Sequence, residues 1–236
     1  MKFTQKKGAQ AESAGYRYEK KFRVTGFRAA DVITILKHHP AMFREIYPMR
    51  YVNNIYLDTP LLSDYYSNVN GYRQRQKVRI RWYHDLFRAV NNAILEFKKK
   101  NGEVGTKEQH PFPPFMFNES LTEKSFSALI NHSLLPKHVK ARLQDVEFAI
   151  CNRYKRWYFA TPYQRFRMTV DADMTFYHLG KLSNRFLHDY HDDHNLVVEL
   201  KYPVDADPDV HQIVSKLPFR ISRNSKYVSG IEHTYI

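Results

Sequence analysis

One short segment concentrates basic side chains at a spacing of two residues. In GYRQRQKVRIRWY, which spans 71–83, the alternating basic residues are Arg73, Arg75, Lys77, Arg79 and Arg81. A β-strand would project all five from one face and the intervening apolar side chains from the other. Five like charges in a row repel each other, so we expect either a solvated edge strand or an anion lying against this face.

Three carboxylates stand at matching positions in other segments, each two residues before a lysine. These pairs are Glu19 with Lys21, Glu96 with Lys98, and Glu199 with Lys201. Cations on such faces suit phosphate groups, and carboxylates suit a divalent metal bound to the same phosphates. The alternative is a sandwich whose charged faces meet water and whose carboxylates form ion pairs with lysines. The excess of cations favours the phosphate-binding interpretation, because solvated faces usually mix both signs of charge.

Composition limits the classes of protein that fit. The chain has 236 residues, of which 43% are hydrophobic, so it can bury a sizeable core. Its formal charge of +13 points to a polyanionic partner: nucleic acid, an anionic membrane or a phosphate compound. Because Cys151 is the single cysteine, the chain cannot form an internal disulfide, which indicates a reducing compartment. We expect Cys151 itself to be a buried apolar residue. With no long apolar run and no secretory signal, the sequence predicts a cytoplasmic protein.

Hydrophobic periodicity predicts the elements that would position these residues. Further strands are predicted at 16–24, 51–57, 146–159, 164–173 and 196–202. Helices are predicted at 27–39, 61–69, 209–216 and 224–231, with one or two more within 111–140. Asn101-Gly102 between two alternating runs predicts a β-hairpin. We expect residues 1–15 to be disordered and 16–236 to form one domain. A slip of one residue in the first strand would exchange the roles of Lys20 and Lys21.

Two further patterns have weaker implications for function. His188, His191 and His194 in HDYHDDH have a spacing that could bind a metal, but this polar, unpatterned run favours a solvated loop. At the start of the last predicted helix, Arg223 and Lys226 are three residues apart and would therefore be neighbours.

Eight segments of the chain resemble, in the same order, motifs of the catalytic domain of the vacuolar transporter chaperone (VTC) family. They are RYEKKF, NNIYLDTP, VRIRWY, LEFKKK, RYKRWYF, FRMTVD, VVELKY and SKYVSG. This family is the polyphosphate polymerase branch of the triphosphate tunnel metalloenzymes, and the resemblance covers nearly the whole chain. It implies an α+β fold, in which about eight antiparallel strands form a β-barrel tunnel with flanking helices. It also implies a divalent metal, Mn²⁺ or Mg²⁺, and transfer of the γ-phosphate of ATP onto a growing polyphosphate chain.

The resemblance also assigns roles to individual residues. Those implied to be catalytic are Arg79, Arg81, Arg156, Arg167 and Lys226. Those implied to bind substrate are Lys21, Lys98, Lys107, Tyr154 and Arg223, and Glu199 is implied to bind the metal. From the residues alone, Tyr154 is equally well explained as a core tyrosine with a satisfied hydroxyl.

The sequence departs from the tunnel family at two positions. Related triphosphatases open with Glu-x-Glu-x-Lys, but Arg17 stands at the first glutamate position, which favours phosphate binding over two-metal hydrolysis. Arg223 stands where lysine is usual, so a planar guanidinium group replaces a compact ammonium group.

Three functions remain compatible with this sequence: an ATP-consuming polyphosphate polymerase, a hydrolase of tripolyphosphate or nucleoside triphosphates, and a non-catalytic module that binds polyphosphate, a phosphorylated ligand or RNA. Carboxylates among the cations and the lack of an RNA-recognition motif argue against nucleic acid. Glu199 favours chemistry over simple anion binding, because a buried carboxylate without a metal would weaken an anion site. We expect ATP and polyphosphate as partners, and any membrane partner to be encoded separately.

Overall fold

Antiparallel strands make up most of the regular structure. The computed structural model describes residues 17–102, 104–182, 184, 186 and 189–235. The strands are β1 (Arg17–Thr25), β2 (Arg44–Asp58), β3 (Gln74–Tyr83), β4 (Arg88–Val90), β5 (Ile94–Asn101), β6 (Val104–Pro111), β7 (Phe115–Phe117), β8 (Glu147–Ala160), β9 (Arg167–His178), β10 (Asp189–Asp192) and β11 (Asn195–Pro203). The helices are α1 (Ala29–Lys37), α2 (Ser63–Val69), α3 (Glu123–His132), α4 (Lys137–Arg142), α5 (Val210–Val214) and α6 (Lys226–Thr234).

Eight of the strands close into a barrel. Their order is β9-β11-β1-β6-β5-β3-β2-β8, and β8 pairs back to β9 along most of its length. All neighbours in this ring are antiparallel. Strand β10 extends the edge of β9 beyond β11, while β4 and β7 form a separate two-stranded sheet. The predicted α+β fold with an antiparallel barrel and flanking helices is therefore confirmed.

The apolar faces of the strands point outward and are covered by helices. On one side, β2, β3, β5 and β8 pack against α3 and α4 in a cluster that includes Trp82, Phe97 and Phe126. On another side, β1, β9 and β11 pack against α1 and α5 in a cluster that includes Phe22 and Val198. Because side chains alternate along a strand, the charged faces of β1, β3, β5 and β11 line the interior. The alternative that these are water-facing surfaces of a sandwich is wrong.

The predicted hairpin joins β5 to β6. Gly102 has a φ of +64°, a conformation that glycine adopts at little cost. The turn sets a register in which Glu96 lies opposite Gln109, and Lys98 lies opposite Lys107. The hairpin therefore brings charged side chains from two strands together on the inner wall.

Helix α6 closes one end of the barrel. It packs so tightly that a Cβ atom added to Gly230 would lie 2.2 Å from Ile150 Cδ1 and 2.8 Å from Phe176 Cδ1. The helix begins at Lys226, because the Ser225 side chain caps it by accepting a hydrogen bond from the Val228 amide at 3.2 Å.

The position of this cap corrects the prediction for the last helix. Arg223 lies before α6 and is exposed, so it is not a helical neighbour of Lys226. The chain preceding α6 instead pairs with β1: Phe22 bridges to Ile221, and the Ser222 amide donates to the Lys21 carbonyl oxygen at 2.8 Å.

Other predictions differ from the structure mainly in their boundaries. The strand predicted at 51–57 is part of the longer β2, which begins at Arg44. The prediction of a solvated loop is wrong for Asp189–Asp192, because these residues form β10 on the free edge of β9. Here His191 Nδ1 lies 2.9 Å from Thr175 Oγ1, and His188 lies outside the described residues. Cys151 is fully buried in an apolar cluster, as predicted.

Within the described part of the chain, no helix is both long and apolar enough to cross a membrane.

Candidate active site inside the barrel

The barrel encloses a cavity of about 270 Å³ with a strongly basic wall. Eleven of its lining residues are Lys or Arg, contributed by six strands and α6: Arg17, Lys21, Lys77, Arg79, Arg81, Lys98, Lys100, Lys107, Arg156, Lys201 and Lys226. Two carboxylates, Glu19 and Glu199, also line it. Such an excess of positive charge in a partly enclosed space attracts a polyanion.

A first group of charges is arranged around Glu96, which is only 2% exposed. Arg79 donates to Glu96 Oε2 from Nε at 2.6 Å and contacts it with Nη2 at 2.5 Å, while Arg81 Nη1 lies 3.7 Å away. Gln109 and Lys107 donate to the other oxygen at 2.7 and 3.4 Å. Burial alone would raise the pKa of Glu96, but the two arginines hold it well below its usual range. Glu96 is therefore ionised and holds Arg79 in a fixed orientation.

A second group is arranged around Asp171, which is fully buried. Arg156 binds it with two bonds, from Nε to Oδ1 at 2.5 Å and from Nη2 to Oδ2 at 2.6 Å. Lys226 Nζ lies 2.6 Å from Oδ2, so α6 contributes a cation to the same carboxylate. Arg156 and Lys226 also approach Glu199, at 3.6 and 3.7 Å.

A third group connects Glu19 and Glu199 on the adjacent strands β1 and β11. Lys21 Nζ lies 3.2 Å from Glu19 Oε1 and 3.5 Å from Glu199 Oε1. Lys98 pairs with Glu19 at 2.9 Å, and Lys201 pairs with Glu199 at 3.0 Å. Burial opposes ionisation of Glu199, but the surrounding cations, Lys201 first, bring its pKa well below the usual value. Thus Lys21, and not Lys20, belongs to the charged wall.

Some cations in the cavity lack a full counter-charge. Within the described residues no carboxylate forms an ion pair with Lys77, whose Nζ donates to Ser225 Oγ at 2.6 Å. Burial and the charges of Lys21 and Lys98 lower the pKa of Lys77 well below its usual value. Burial also lowers the pKa of Lys98 to about 8, despite the opposing effect of Glu19. An anionic ligand would favour the charged forms of both lysines.

The structure brings together most of the residues predicted for the site. Those that line the cavity are Lys21, Arg79, Arg81, Lys98, Lys107, Tyr154, Arg156, Glu199 and Lys226. Tyr154 is 1% exposed in an apolar cluster, and its hydroxyl accepts a hydrogen bond from Arg81 Nη2 at 3.4 Å, as expected for a core tyrosine with a satisfied hydroxyl. Its role in binding substrate stays a prediction.

Two predicted residues lie apart from the cavity lining. Arg167 stands at the start of β9 and donates to Gln164 Oε1 at 3.2 Å. Arg223 is exposed in the segment before α6. Their basic character matches the motif, but neither is among the residues that line the cavity.

Sequence reasoning assigned no role in the site to several of its residues, among them Lys77 and Asp171. Lys77 has the same two-residue spacing as Arg79 and Arg81, so alternation alone could have included it. Asp171 has no such signal, because its partner Arg156 is on β8 and only the register between β8 and β9 places the two opposite each other.

The donor set at Glu19 and Glu199 fits a divalent metal. Glu19 Oε1 is buried and is approached by Lys21 Nζ at 3.2 Å, and the same Nζ lies 3.5 Å from Glu199 Oε1, so the two carboxylates lie close to each other. Carboxylate oxygens are the ligands that Mg²⁺ and Mn²⁺ prefer. A different group, Glu108, His110 and His138, also has ligand atoms within 4.8 Å of one another. It is separate from the cavity, because Glu108 and His110 alternate with the inward-facing residues of β6.

The model of the VTC domain matches residues 16–235. The chain belongs to the VTC domain family. No curated protein matches its sequence.

Solved structures similar to this VTC domain cover almost its whole length. A putative adenylyl cyclase from Hippeastrum, described as having a dominant triphosphatase activity, is 14% identical with a TM-score of 0.52, covering 92% of this chain and 95% of its own. A Pyrococcus horikoshii protein is 12% identical with a TM-score of 0.51, covering 91% and 99%. A putative adenylate cyclase from Vibrio parahaemolyticus is 12% identical with a TM-score of 0.51, covering 92% and 99%. These likenesses show the triphosphate tunnel fold.

Proposed function

We propose that this VTC domain is a metal-dependent polyphosphate polymerase that transfers the γ-phosphate of ATP to a polyphosphate chain. The observation that carries the proposal is the cavity wall, where eleven of the described lining residues are basic and two are carboxylates. Glu19 and Glu199 form ion pairs with lysines, and the buried Glu96 and Asp171 compensate further basic residues of the wall. The eleven basic residues still outnumber these four carboxylates, so positive charge remains for a polyanion.

Phosphoryl transfer depends mainly on positioning and on neutralising charge, and needs little covalent chemistry from the protein. Arg79 and Arg156 present planar guanidinium groups that suit phosphate oxygens. Glu96 forms an ion pair with Arg79, and Asp171 forms one with Arg156, so both guanidinium groups are oriented before substrate binds. Arg81 is held by its Nε bond to Asn54 Oδ1 at 2.8 Å.

Glu199, with Glu19 beside it, would hold the divalent metal. Such a metal, when bound, neutralises charge on the phosphate oxygens. Arg17 lines the cavity two residues before Glu19, so a cation stands where a further carboxylate ligand would otherwise be available. This exchange favours binding of an extended polyanion over a site with two metals.

In the proposed reaction, a terminal phosphate oxygen of the acceptor chain forms a bond to the γ-phosphorus of ATP. The bond from this phosphorus to the β,γ-bridging oxygen breaks, and ADP leaves with that electron pair. Hydrolysis differs only in the acceptor, which is then water.

The test is incubation of the purified protein with ATP and Mn²⁺, with gels for polymer and chromatography for ADP and free phosphate. Polymer together with ADP supports the polymerase. Free phosphate without polymer would replace it by the hydrolase, and tight polyphosphate binding without turnover would leave a binding module.

Paired variants test whether the cavity performs this reaction. Arg79→Ala and Glu199→Ala should lose turnover, and a thermal melt of each variant checks that the loss is not due to unfolding. Lys21→Ala should also lose it, whereas Lys20→Ala, which removes a cation from the opposite face of β1, should retain it. Normal turnover in both Arg79→Ala and Glu199→Ala would refute the cavity as the active site.

A further inference from the structure

An aromatic cluster continues the inner wall of the barrel at the end opposite α6. Its members are Tyr47 and Arg50 of β2, Tyr83 of β3 and Tyr158 of β8. The guanidinium carbon of Arg50 lies 4.9 Å from the ring centroid of Tyr47, 5.7 Å from that of Tyr158 and 5.9 Å from that of Tyr83. Tyr47 and Tyr158 meet edge to face, with ring centroids 5.8 Å apart.

Strand geometry places this cluster directly beyond the phosphate-binding arginines. Tyr158 follows Arg156 by two residues, so it is on the same face of β8, about 7 Å further along the strand. Tyr83 follows Arg81 in the same way, and Arg50 lies opposite Arg156 in the ladder between β2 and β8. Burial raises the pKa of Tyr158 to about 12 against the opposing charge of Arg156.

The cluster is accessible from outside. Tyr47 is 51% exposed although it is a large aromatic residue held against a cation. An exposed aromatic ring beside a guanidinium plane offers two flat surfaces of the kind on which nucleobases stack. A triphosphate clamped between Arg81 and Arg156 would leave its nucleoside end to emerge at this rim.

We propose that Tyr47, Arg50 and Tyr158 form a stacking site for the base of a nucleoside triphosphate whose phosphates lie in the cavity. The inference rests on the proposed function and specifies how ATP, as opposed to inorganic tripolyphosphate, is held. Because every base has a π-face, stacking discriminates weakly between bases, so ATP and GTP should bind with similar affinity.

Calorimetric titration of the full chain with ATP and with tripolyphosphate tests this site. Both titrations are made with Mn²⁺ present, and ATP is supplied as its non-hydrolysable β,γ-imido analogue, so that the metal-bound site is tested without transfer of the γ-phosphate. Tyr47→Ala should weaken ATP binding by about tenfold, the loss expected for one base stack, and leave tripolyphosphate binding unchanged. Tyr47→Phe, which keeps the ring, should bind both ligands like the wild type. Tyr72→Ala removes a tyrosine that is 59% exposed outside this cluster and serves as the matched control.

Each other outcome has a separate meaning. Equal loss of ATP and tripolyphosphate affinity in Tyr47→Ala, or unchanged ATP affinity, would overturn the stacking site and leave the proposed function standing. Tripolyphosphate binding to the wild type without ATP binding would overturn both the stacking site and ATP as the substrate, and would leave the cavity as a phosphate site. Failure of the wild type to bind tripolyphosphate would instead refute the cavity as a phosphate site, and with it both proposals.

Discussion

Replacing Asp171 by asparagine should destabilise the fold strongly and make it dependent on an anionic ligand. The side chains are nearly the same size, so the change removes a charge without creating a cavity. Asp171 is fully buried and compensates both Arg156 and Lys226, which are only 7% exposed. Burial would raise the pKa of Asp171, but these two cations lower it, so the carboxylate is ionised at neutral pH. Its stabilising effect is therefore present at neutral pH and is lost as the pH falls through the lowered pKa.

The size of the effect follows from the cost of leaving buried charge uncompensated. Breaking a buried ion pair by removing one partner costs about 3–5 kcal/mol. For a chain of this length each kcal/mol lowers Tm by about 2–4 °C, so Asp171→Asn should melt roughly 6–20 °C below the wild type. Asp173→Asn is the matched control on the same strand: its carboxylate pairs with Lys155 at 2.5 Å but is 42% exposed. An exposed pair contributes at most about 1 kcal/mol, which corresponds to less than about 4 °C.

Thermal melts with and without tripolyphosphate provide the assay. The anion would compensate Arg156 and Lys226, so saturating tripolyphosphate should raise Tm more in Asp171→Asn than in the wild type. If the Asp171 and Asp173 variants melt at the same temperature, the assigned role of the buried charge is wrong. If Asp171→Asn is destabilised but gains no more from tripolyphosphate than the wild type does, the anion does not bind beside Arg156 and Lys226.

Three further changes test separate parts of the structure. Arg79→Ala should lower turnover by about 100-fold, as for loss of one preorganised donor, and an effect confined to KM would contradict this. Tripolyphosphate affinity should fall as pH rises through about 8, because Lys98 then loses its charge. Calorimetry across this pH range should show that Lys98→Met removes this fall in affinity. If the fall persists in Lys98→Met, another group than Lys98 causes it. Gly230→Ala should lower Tm by crowding Ile150 and Phe176, whereas an unchanged melt would show that α6 can shift.

The sequence alone determined most of the elements and which residues share a strand face. Alternation in β1, β3 and β11 is a local property of the backbone, so it can be read without the fold. The same holds for the β5–β6 hairpin, where Asn101-Gly102 meets the conformational demand of the turn. Boundaries were less accurate, as at Arg44 and Lys226, because strand length and helix start depend on partners elsewhere in the chain.

Only the tertiary structure decided whether the charged faces point inward and which charges meet. Alternation shows that Arg79 and Arg81 share a face, but closure between β8 and β9 is what makes that face the interior. Glu96 precedes Lys98 by two residues, yet it forms its ion pair with Arg79, because the register between β3 and β5 places these two residues opposite each other. Ion pairs form between side chains that are close in space, and in a barrel that proximity is set by register and closure, which depend on hydrogen bonds between distant segments.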